Sequence, residues 1–157
     1  MNRGLVKHKL KDYAGALLDN NKAIELDSTS IQTYINRGLV KDELDDNTGA
    51  IKDCNKVLEL DSNNKWAYNN RGYIKYKLKD YQGALVDLSK AIEIDTNHPN
   101  AYYNRVLAYQ ELEDPQNMTK DCDKILEMYP NDAYIYTVRG NANTSLGKYQ
   151  SGIADFD

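Results

Sequence analysis

Apolar and small residues recur along this chain with the spacing of amphipathic helices. In residues 65–78, and again in residues 81–94, they follow one another at intervals of three and four, which places them on one face of a helix. Polar segments rich in residues that stop or cap helices separate such stretches, at 27–30, 61–64, 95–100 and 130–132. Because helices of this length are marginal alone, the pattern predicts helix pairs that are stabilised by packing on neighbouring pairs.

The pattern repeats every 34 residues. All five arginines of the chain lie in one register, and five aspartates lie in another. The two columns are Arg3, Arg37, Arg71, Arg105 and Arg139, and Asp19, Asp53, Asp87, Asp121 and Asp155. Internal repetition with a period of about 20 to 50 residues is typical of stacked repeat proteins. The sequence therefore predicts an all-α fold built from stacked antiparallel helix pairs.

An aromatic residue, a glycine four residues later and an alanine twelve residues after that recur in phase with the arginines. Two repeats carry the full set, as Tyr34, Gly38 and Ala50 and as Tyr68, Gly72 and Ala84. This pattern resembles the tetratricopeptide repeat. The resemblance implies a right-handed superhelical solenoid in which residues 1–157 form a single array of about five repeats, the first and last incomplete. The implied repeats are 1–30 (partial), 31–64, 65–98, 99–132 and 133–157 (partial).

Composition narrows the class of partner. The net charge of −4 argues against binding to nucleic acid or to an anionic membrane, because both require concentrated positive charge. No apolar run approaches the roughly 18 to 20 residues of a membrane span, and the first twenty residues lack the apolar region of a signal peptide. We therefore expect an intracellular, cytoplasmic protein that binds peptides or proteins. Uncapped repeat ends also allow self-association.

The two cysteines lie two repeats apart. Equivalent positions two layers apart in a stack are too distant for a disulfide, whose Cα atoms lie within about 7 Å of each other. We expect Cys54 and Cys122 to be small buried apolar side chains. The sequence shows no metal-ligand spacing and no cofactor motif, and neither His8 nor His98 lies beside a repeated carboxylate or thiol. We expect no enzymatic activity, no metal and no cofactor.

The arginine column falls at a repeat position that is usually apolar in this family and packs between helices. A charge there needs a partner. In an antiparallel pair, the aspartate 16 residues later lies at nearly the same level, within reach of the guanidinium. We predict the ion pairs Arg3–Asp19, Arg37–Asp53, Arg71–Asp87, Arg105–Asp121 and Arg139–Asp155. The alternative is a ladder of arginines that reads an anionic ligand, but the aspartate column would neutralise it.

The resemblance also implies a binding surface. First helices of such repeats line a concave groove, and an asparagine column falls on it at Asn36, Asn70 and Asn104, with Asn2 in the same register. A carboxamide is both donor and acceptor and can satisfy the backbone of an extended peptide. The column is similar to the asparagine ladder of the O-linked N-acetylglucosamine transferase repeats, and it breaks at Val138. Alternatively, these asparagines are merely solvated helix residues.

Aromatic side chains surround this column. The residues that we predict to contact a peptide beside the asparagine column are Trp66, Asn69, Tyr73, Tyr76, Asn100 and Tyr103. Buried aromatic anchors often supply much of the energy of an interface. The alternative is that these rings pack between neighbouring first helices. Four other tyrosines share a repeat position that places them in the core as spacers: Tyr34, Tyr68, Tyr102 and Tyr136.

Three functions are compatible with the sequence. The first is a protein–protein interaction adaptor that holds an extended peptide through the asparagine ladder and the aromatic residues. The second is a structural subunit or fragment of a larger assembly that docks through the repeat ends or the convex face. The third is the targeting arm of a longer enzyme. A fold that presents surfaces does not by itself identify the partner.

Overall fold

The computed structural model describes residues 3–157, so Asn2 of the asparagine column lies outside the described residues. Within this range the chain forms ten helices and no strand. The helices are α1 (Arg3–Lys9), α2 (Tyr13–Leu26), α3 (Ile31–Glu43), α4 (Asn47–Leu60), α5 (Lys65–Lys77), α6 (Tyr81–Ile94), α7 (Pro99–Glu111), α8 (Pro115–Met128), α9 (Ala133–Ser145) and α10 (Tyr149–Phe156). None of the ten combines the length and the apolar content that a membrane span requires.

The helices stack in two layers. Each odd-numbered first helix packs on the second helix that follows it, and that second helix also packs on the first helix of the next pair. First helices touch in the first four pairs, as α1 does with α3, α3 with α5 and α5 with α7, whereas α7 and α9 do not, and no two of the described second helices touch. The first helices therefore form the closer, inner layer of a curved stack, and the chain is an all-α solenoid.

A residue with left-handed backbone ends the first helix of every pair. Its φ lies between 51° and 72° at Lys11, Asp45, Lys79, Glu113 and Gly147. In the first four pairs the next residue is an aspartate, whose carboxylate accepts a hydrogen bond from a backbone N–H in the first turn of the second helix. This shared turn sets the same antiparallel arrangement in each pair.

The apolar core lies between the two layers. Its largest cluster extends over the third to fifth pairs and includes Leu88, Ile125 and Ile135, which are fully buried. Cys54 and Cys122 are buried free thiols, and burial raises the pKa of each to about 12. Both therefore act as small apolar side chains, as the sequence predicts.

A fork of hydrogen bonds joins each arginine to the aspartate 16 residues later. Arg71 donates from Nε to Asp87 Oδ2 at 2.8 Å and from Nη2 to Asp87 Oδ1 at 2.6 Å. The Asp87 side chain is only 2% exposed, and that of Arg71 is 20% exposed. Comparable forks join Arg3 to Asp19, Arg37 to Asp53, Arg105 to Asp121 and Arg139 to Asp155. The arginines thus hold together the two helices of each pair.

The remaining guanidinium nitrogen reaches the preceding helix pair. Arg71 Nη1 donates to Asn55 Oδ1, and Arg139 Nη1 donates to Asp123 Oδ1, both at 2.6 Å. The same bond joins Arg37 to Asn21 and Arg105 to Ser89. These four guanidinium groups also lie over the core tyrosine three residues earlier, 5.3 to 5.6 Å from its ring centroid. The donors of these arginines are occupied within the fold. This favours a structural role for the arginine column over the binding of an anionic ligand.

A second cation supports most of the buried aspartates. In the third pair Lys75 Nζ lies 2.7 Å from Asp87 Oδ2, and lysines at the same repeat position serve the first two pairs. In the fourth pair that position is Tyr109, whose ring contacts the Arg105 guanidinium instead. Asp121 has no lysine at this repeat position, and burial raises its pKa, although Arg105 and Lys120 act in the opposite direction.

A buried histidine lies at the junction between the third and fourth pairs. His98 is only 2% exposed, and its ring centroid lies 4.6 Å from that of Trp66 in an edge-on arrangement. Its Nε2 atom has no hydrogen-bond partner within residues 3–157. Burial lowers the pKa of His98, Lys65 lowers it further, and Asp95, which is bonded to Lys65, raises it. The fold therefore favours the neutral ring.

Removal of one buried aspartate should weaken the whole array. We expect Asp87→Ala to lower the free energy of unfolding by about 3 to 5 kcal/mol, because it leaves the Arg71 and Lys75 charges without a carboxylate. Denaturant unfolding followed by circular dichroism would measure this. Glu59→Ala removes an exposed ion pair with Lys56 and should cause no measurable change. If Asp87→Ala were as stable as this control, the fork would have no structural importance.

Mild acid should destabilise the junction at His98. A folded pKa below the ordinary value of 6.5 means that protonation favours the unfolded chain, so stability is complete above about pH 6.5 and declines below it. We expect the melting temperature to fall between about pH 7 and pH 5.

His98→Phe should remove most of this decline in melting temperature, since an aromatic ring still fills the site but the titrating imidazole is lost. His8→Gln is the matched control and should keep the decline. Trp66, the only tryptophan, reports locally through its fluorescence. An identical pH profile for wild type and His98→Phe would show that His98 does not couple to folding.

Candidate peptide-binding groove

The inner layer brings six of the predicted site residues together around one shallow depression of about 210 Å³. The lining residues are Asn69, Asn70 and Tyr73 from α5, and Asn100, Tyr103 and Asn104 from α7. Because α5 and α7 are consecutive first helices in direct contact, side chains one repeat apart meet between them. We call the region between two consecutive first helices a step of the stack. This depression is the part of the predicted site that the structure assembles.

A relay of carboxamides crosses the depression. Asn104 Nδ2 donates to Asn69 Oδ1 at 3.0 Å, and Asn69 Nδ2 donates to Asn70 Oδ1 at 3.2 Å. Asn69 is 5% exposed, whereas Asn70 and Asn104 are half-buried. Within residues 3–157, Asn70 Nδ2 and Asn104 Oδ1 are left without a hydrogen-bond partner. The relay therefore presents one donor and one acceptor, held in place by a buried amide.

Aromatic side chains form the walls of the depression. Tyr73 is 37% exposed and its ring stacks on that of Tyr76, with 6.4 Å between centroids. Tyr76 in turn contacts Tyr81, so it supports Tyr73 and does not line the depression itself. Tyr103 donates a hydrogen bond from its hydroxyl to Asp132, and burial, aided by Asp132, raises the pKa of Tyr103. Both lining rings are thus held in place by neighbours.

Two predicted site residues lie apart from the depression. Asn36 is only 4% exposed, and its Oδ1 accepts a hydrogen bond from Gln32 Nε2 at 3.0 Å. The asparagine column is therefore accessible at Asn70 and Asn104 but packed at Asn36. Trp66 is 47% exposed and packs against His98 at the junction between pairs. The aromatic residues therefore do not form one continuous patch.

The chemistry of the depression suits binding. Its lining consists of carboxamides and phenols, which donate and accept hydrogen bonds. Within residues 3–157, no group of three or more His, Cys, Asp or Glu side chains is placed to hold a metal ion. The geometry favours the holding of a polar backbone between two aromatic walls.

Solved structures share this fold at low sequence identity. The crystal structure of MamA is 23% identical, with a TM-score of 0.90 over 99% of this chain and 91% of that chain. YrrB, described as a TPR protein with an unusual peptide-binding site, is 19% identical, with a TM-score of 0.79 over 97% of this chain and 78% of its own. A Pseudomonas aeruginosa pilF structure is 22% identical, with a TM-score of 0.86 over 97% of this chain and 69% of that chain. A comparison with curated proteins gives no match.

Family models agree with these structural likenesses. A tetratricopeptide repeat model matches residues 31–64 and 99–132, and a second TPR repeat model matches residues 72–112. The matched segments lie in three helix pairs that share the arginine fork and the turn described above, although the match to the third pair begins only at residue 72. With its period of 34 residues and its stacked helix pairs, this chain belongs to the tetratricopeptide repeat family.

Proposed function

We propose that this protein–protein interaction scaffold holds an extended peptide segment of its partner against the inner layer, across α5 and α7. The observation that carries the proposal is the carboxamide relay, which leaves Asn70 Nδ2 as a donor and Asn104 Oδ1 as an acceptor in one depression. Proteins of this family are generally adaptors without catalysis of their own, and YrrB is a structural neighbour with a described peptide-binding site.

An extended peptide offers the complementary groups. Each of its residues exposes one C=O and one N–H, which can pair with the Asn70 donor and the Asn104 acceptor. Amides contact the main chain without selecting the side chains, so this step would tolerate many sequences. Tyr73 and Tyr103 add apolar contact area with little loss of conformational entropy, because neighbouring groups already hold both rings.

A nucleic acid fits this surface poorly. The depression contains no lysine or arginine, whereas binding to phosphates requires several cations. Four of the five arginines donate hydrogen bonds both to a buried aspartate and to the preceding helix pair. The charge distribution of the inner layer therefore supports a protein or peptide partner.

Removal of the accessible amides should weaken binding of the partner segment. We would select displayed random dodecapeptides on the wild-type chain and measure the affinity of the enriched peptides for an Asn70→Ala, Asn104→Ala variant. We expect about a tenfold loss, as two hydrogen bonds of ordinary strength predict.

The matched control removes two exposed asparagines from the connectors between pairs, Asn63 and Asn97, and should leave the affinity unchanged. All three proteins must melt alike. Enriched peptides that bind the groove variant as tightly as the wild type would contradict the amide contacts. Failure to enrich any peptide on the wild type would contradict peptide holding itself.

A second candidate function, docking through the face of α10, has its own observation. Ile153 and Phe156 are each 53% exposed. Of the equivalent residues of the third pair, Leu88 is fully buried and Leu85 is partly buried, and the next first helix packs on α6. The α10 face therefore has the shape and the apolar character to receive another helix, including one from a second copy of the chain.

This docking predicts self-association that depends on concentration. The purified chain should increase in mass with concentration in light scattering, and an Ile153→Ser, Phe156→Ser variant should remain monomeric because its face is polar. Leu18→Ser, an exposed apolar residue on the opposite end pair, is the control and should associate like the wild type. A wild type that stays monomeric throughout would exclude docking between copies.

A further inference from the structure

A larger cavity lies one step further along the inner layer, between α7 and α9. Its volume is about 640 Å³, three times that of the depression between α5 and α7. The apolar part of its lining consists of Tyr109, Met118, Pro115, Tyr134, Val138 and Ala142. Glu113 and Asp114 also line it, and no lysine or arginine does. The cavity thus combines an apolar floor with an acidic side.

The cavity exists because this step of the stack is wider and its side chains are smaller. No Cα atom of residues 99–111 lies within 8 Å of one in residues 133–145, although α5 and α7 do approach this closely. Helix α9 also carries Thr137, Asn141 and Ser145 at the repeat positions where α7 carries a tyrosine, a leucine and a glutamate. The smaller side chains of α9 leave the space that forms this cavity.

The floor of the cavity differs chemically from the asparagine relay. Val138 occupies the repeat position of Asn70 and Asn104, and it is 7% exposed. A valine offers no hydrogen bond to a peptide backbone, but together with Met118 and Ala142 it gives a surface that an apolar side chain can cover. The break in the asparagine column therefore exchanges a backbone contact for a side-chain contact.

The acidic side of the cavity lacks a cation that another step supplies from within the chain. Between α3 and α5, Lys77 Nζ lies 2.8 Å from Asp42 Oδ1 and 3.6 Å from Asp45 Oδ1. Two repeats later, Ser145 replaces this lysine and Glu113 replaces Asp45, while neutral Gln110 replaces Asp42. Among residues 3–157, no cation pairs with Glu113 or Asp114. A positive charge from a ligand would supply at Glu113 the contact that Lys77 makes with Asp45.

We infer that this cavity is a specificity site for the bound segment, and that it takes a bulky apolar side chain next to a lysine or arginine. The inference rests on the proposed peptide-holding function and adds the chemistry of the preferred sequence. The apolar side chain covers the Val138 and Met118 floor, and the neighbouring cation lies against Glu113. The relay between α5 and α7 holds the main chain, while the cavity between α7 and α9 selects the sequence.

The geometry also sets the spacing along the segment. Neighbouring packed helices lie about 10 Å apart. An extended chain advances about 3.3 Å per residue. Because α7 and α9 lie farther apart than packed helices, the apolar and basic pair should follow or precede the residue held at Asn104 by at least about three residues.

The test begins with the random dodecapeptides selected on the wild-type chain. We expect the enriched pool to contain an apolar residue beside lysine or arginine more often than the starting library does. Ser145→Lys copies Lys77 and should occupy the acidic side internally. We expect it to lower the affinity of an apolar-basic peptide about fivefold, as the loss of one partly exposed ion pair predicts.

A second variant tests the floor. Val138→Asn restores the asparagine of the earlier repeats, a residue that occurs at this position four times in the sequence. It should reduce the preference for the apolar residue while the preference for a neighbouring cation remains. Gln150→Lys, an exposed site on α10 with the same change of charge as Ser145→Lys, should leave the affinity unchanged.

The outcomes separate the two proposals. Peptides that depend on Asn70 and Asn104 but show no apolar-basic preference, or that bind Ser145→Lys and Val138→Asn at full affinity, would overturn the specificity site and leave peptide holding intact. Peptides that respond to Ser145→Lys and Val138→Asn but not to loss of the asparagines would support the cavity and overturn the relay. A wild type that enriches no peptide would overturn both.

Discussion

The buried fork between an arginine and an aspartate is the interaction on which the stack depends. In the inner pairs the fork joins the first helix to its own second helix. The Nη1 atom of the same arginine joins it to the preceding helix pair. Lysine could not replace this arginine, because a single ammonium cannot make two parallel bonds to Asp87 and also reach Asn55 in a fixed geometry. Three separate demands on one guanidinium explain why arginine occurs at this repeat position and nowhere else.

A framework that repeats so regularly leaves function to the positions that do not repeat. The fork, the left-handed turn and the core tyrosines recur in every inner pair, so they give each step the same support. The inner surface changes from step to step. Between α5 and α7 it presents amides, whereas between α7 and α9 Val138 and Ser145 replace an asparagine and a glutamate of the preceding repeat. Differences between repeats, more than the repeat itself, carry the information about the partner.

The 34-residue period made the fold and the helix-pair arrangement predictable from the sequence. It also gave the partner of each arginine, because two residues at one level of an antiparallel pair must face each other. The period did not reveal Asn55 or Lys75 as further partners, since those contacts depend on side-chain reach between and within pairs. Nor did it distinguish the packed Asn36 from the accessible Asn70, which share a repeat position but have different neighbours.

The cavity between α7 and α9 was least accessible to sequence reasoning. Its volume depends on the separation of two helices that do not touch, and a pattern of residue types does not give such a separation. The break at Val138 was visible in the sequence, but only as a loss from the asparagine column. In the structure Val138 forms part of the apolar floor of the cavity. Its departure from the repeat therefore adds an apolar surface as well as removing an amide.

The most direct test of the account is a nuclear magnetic resonance titration with the tightest dodecapeptide from the selection. We expect changes in the side-chain amide signals of Asn70 and Asn104 and in the methyl signal of Met118. The five arginine Nε–H signals should stay in place, because the framework does not take part in binding. Changes confined to α10, with the groove amides and Met118 unaffected, would contradict the account and place binding at the end of the stack.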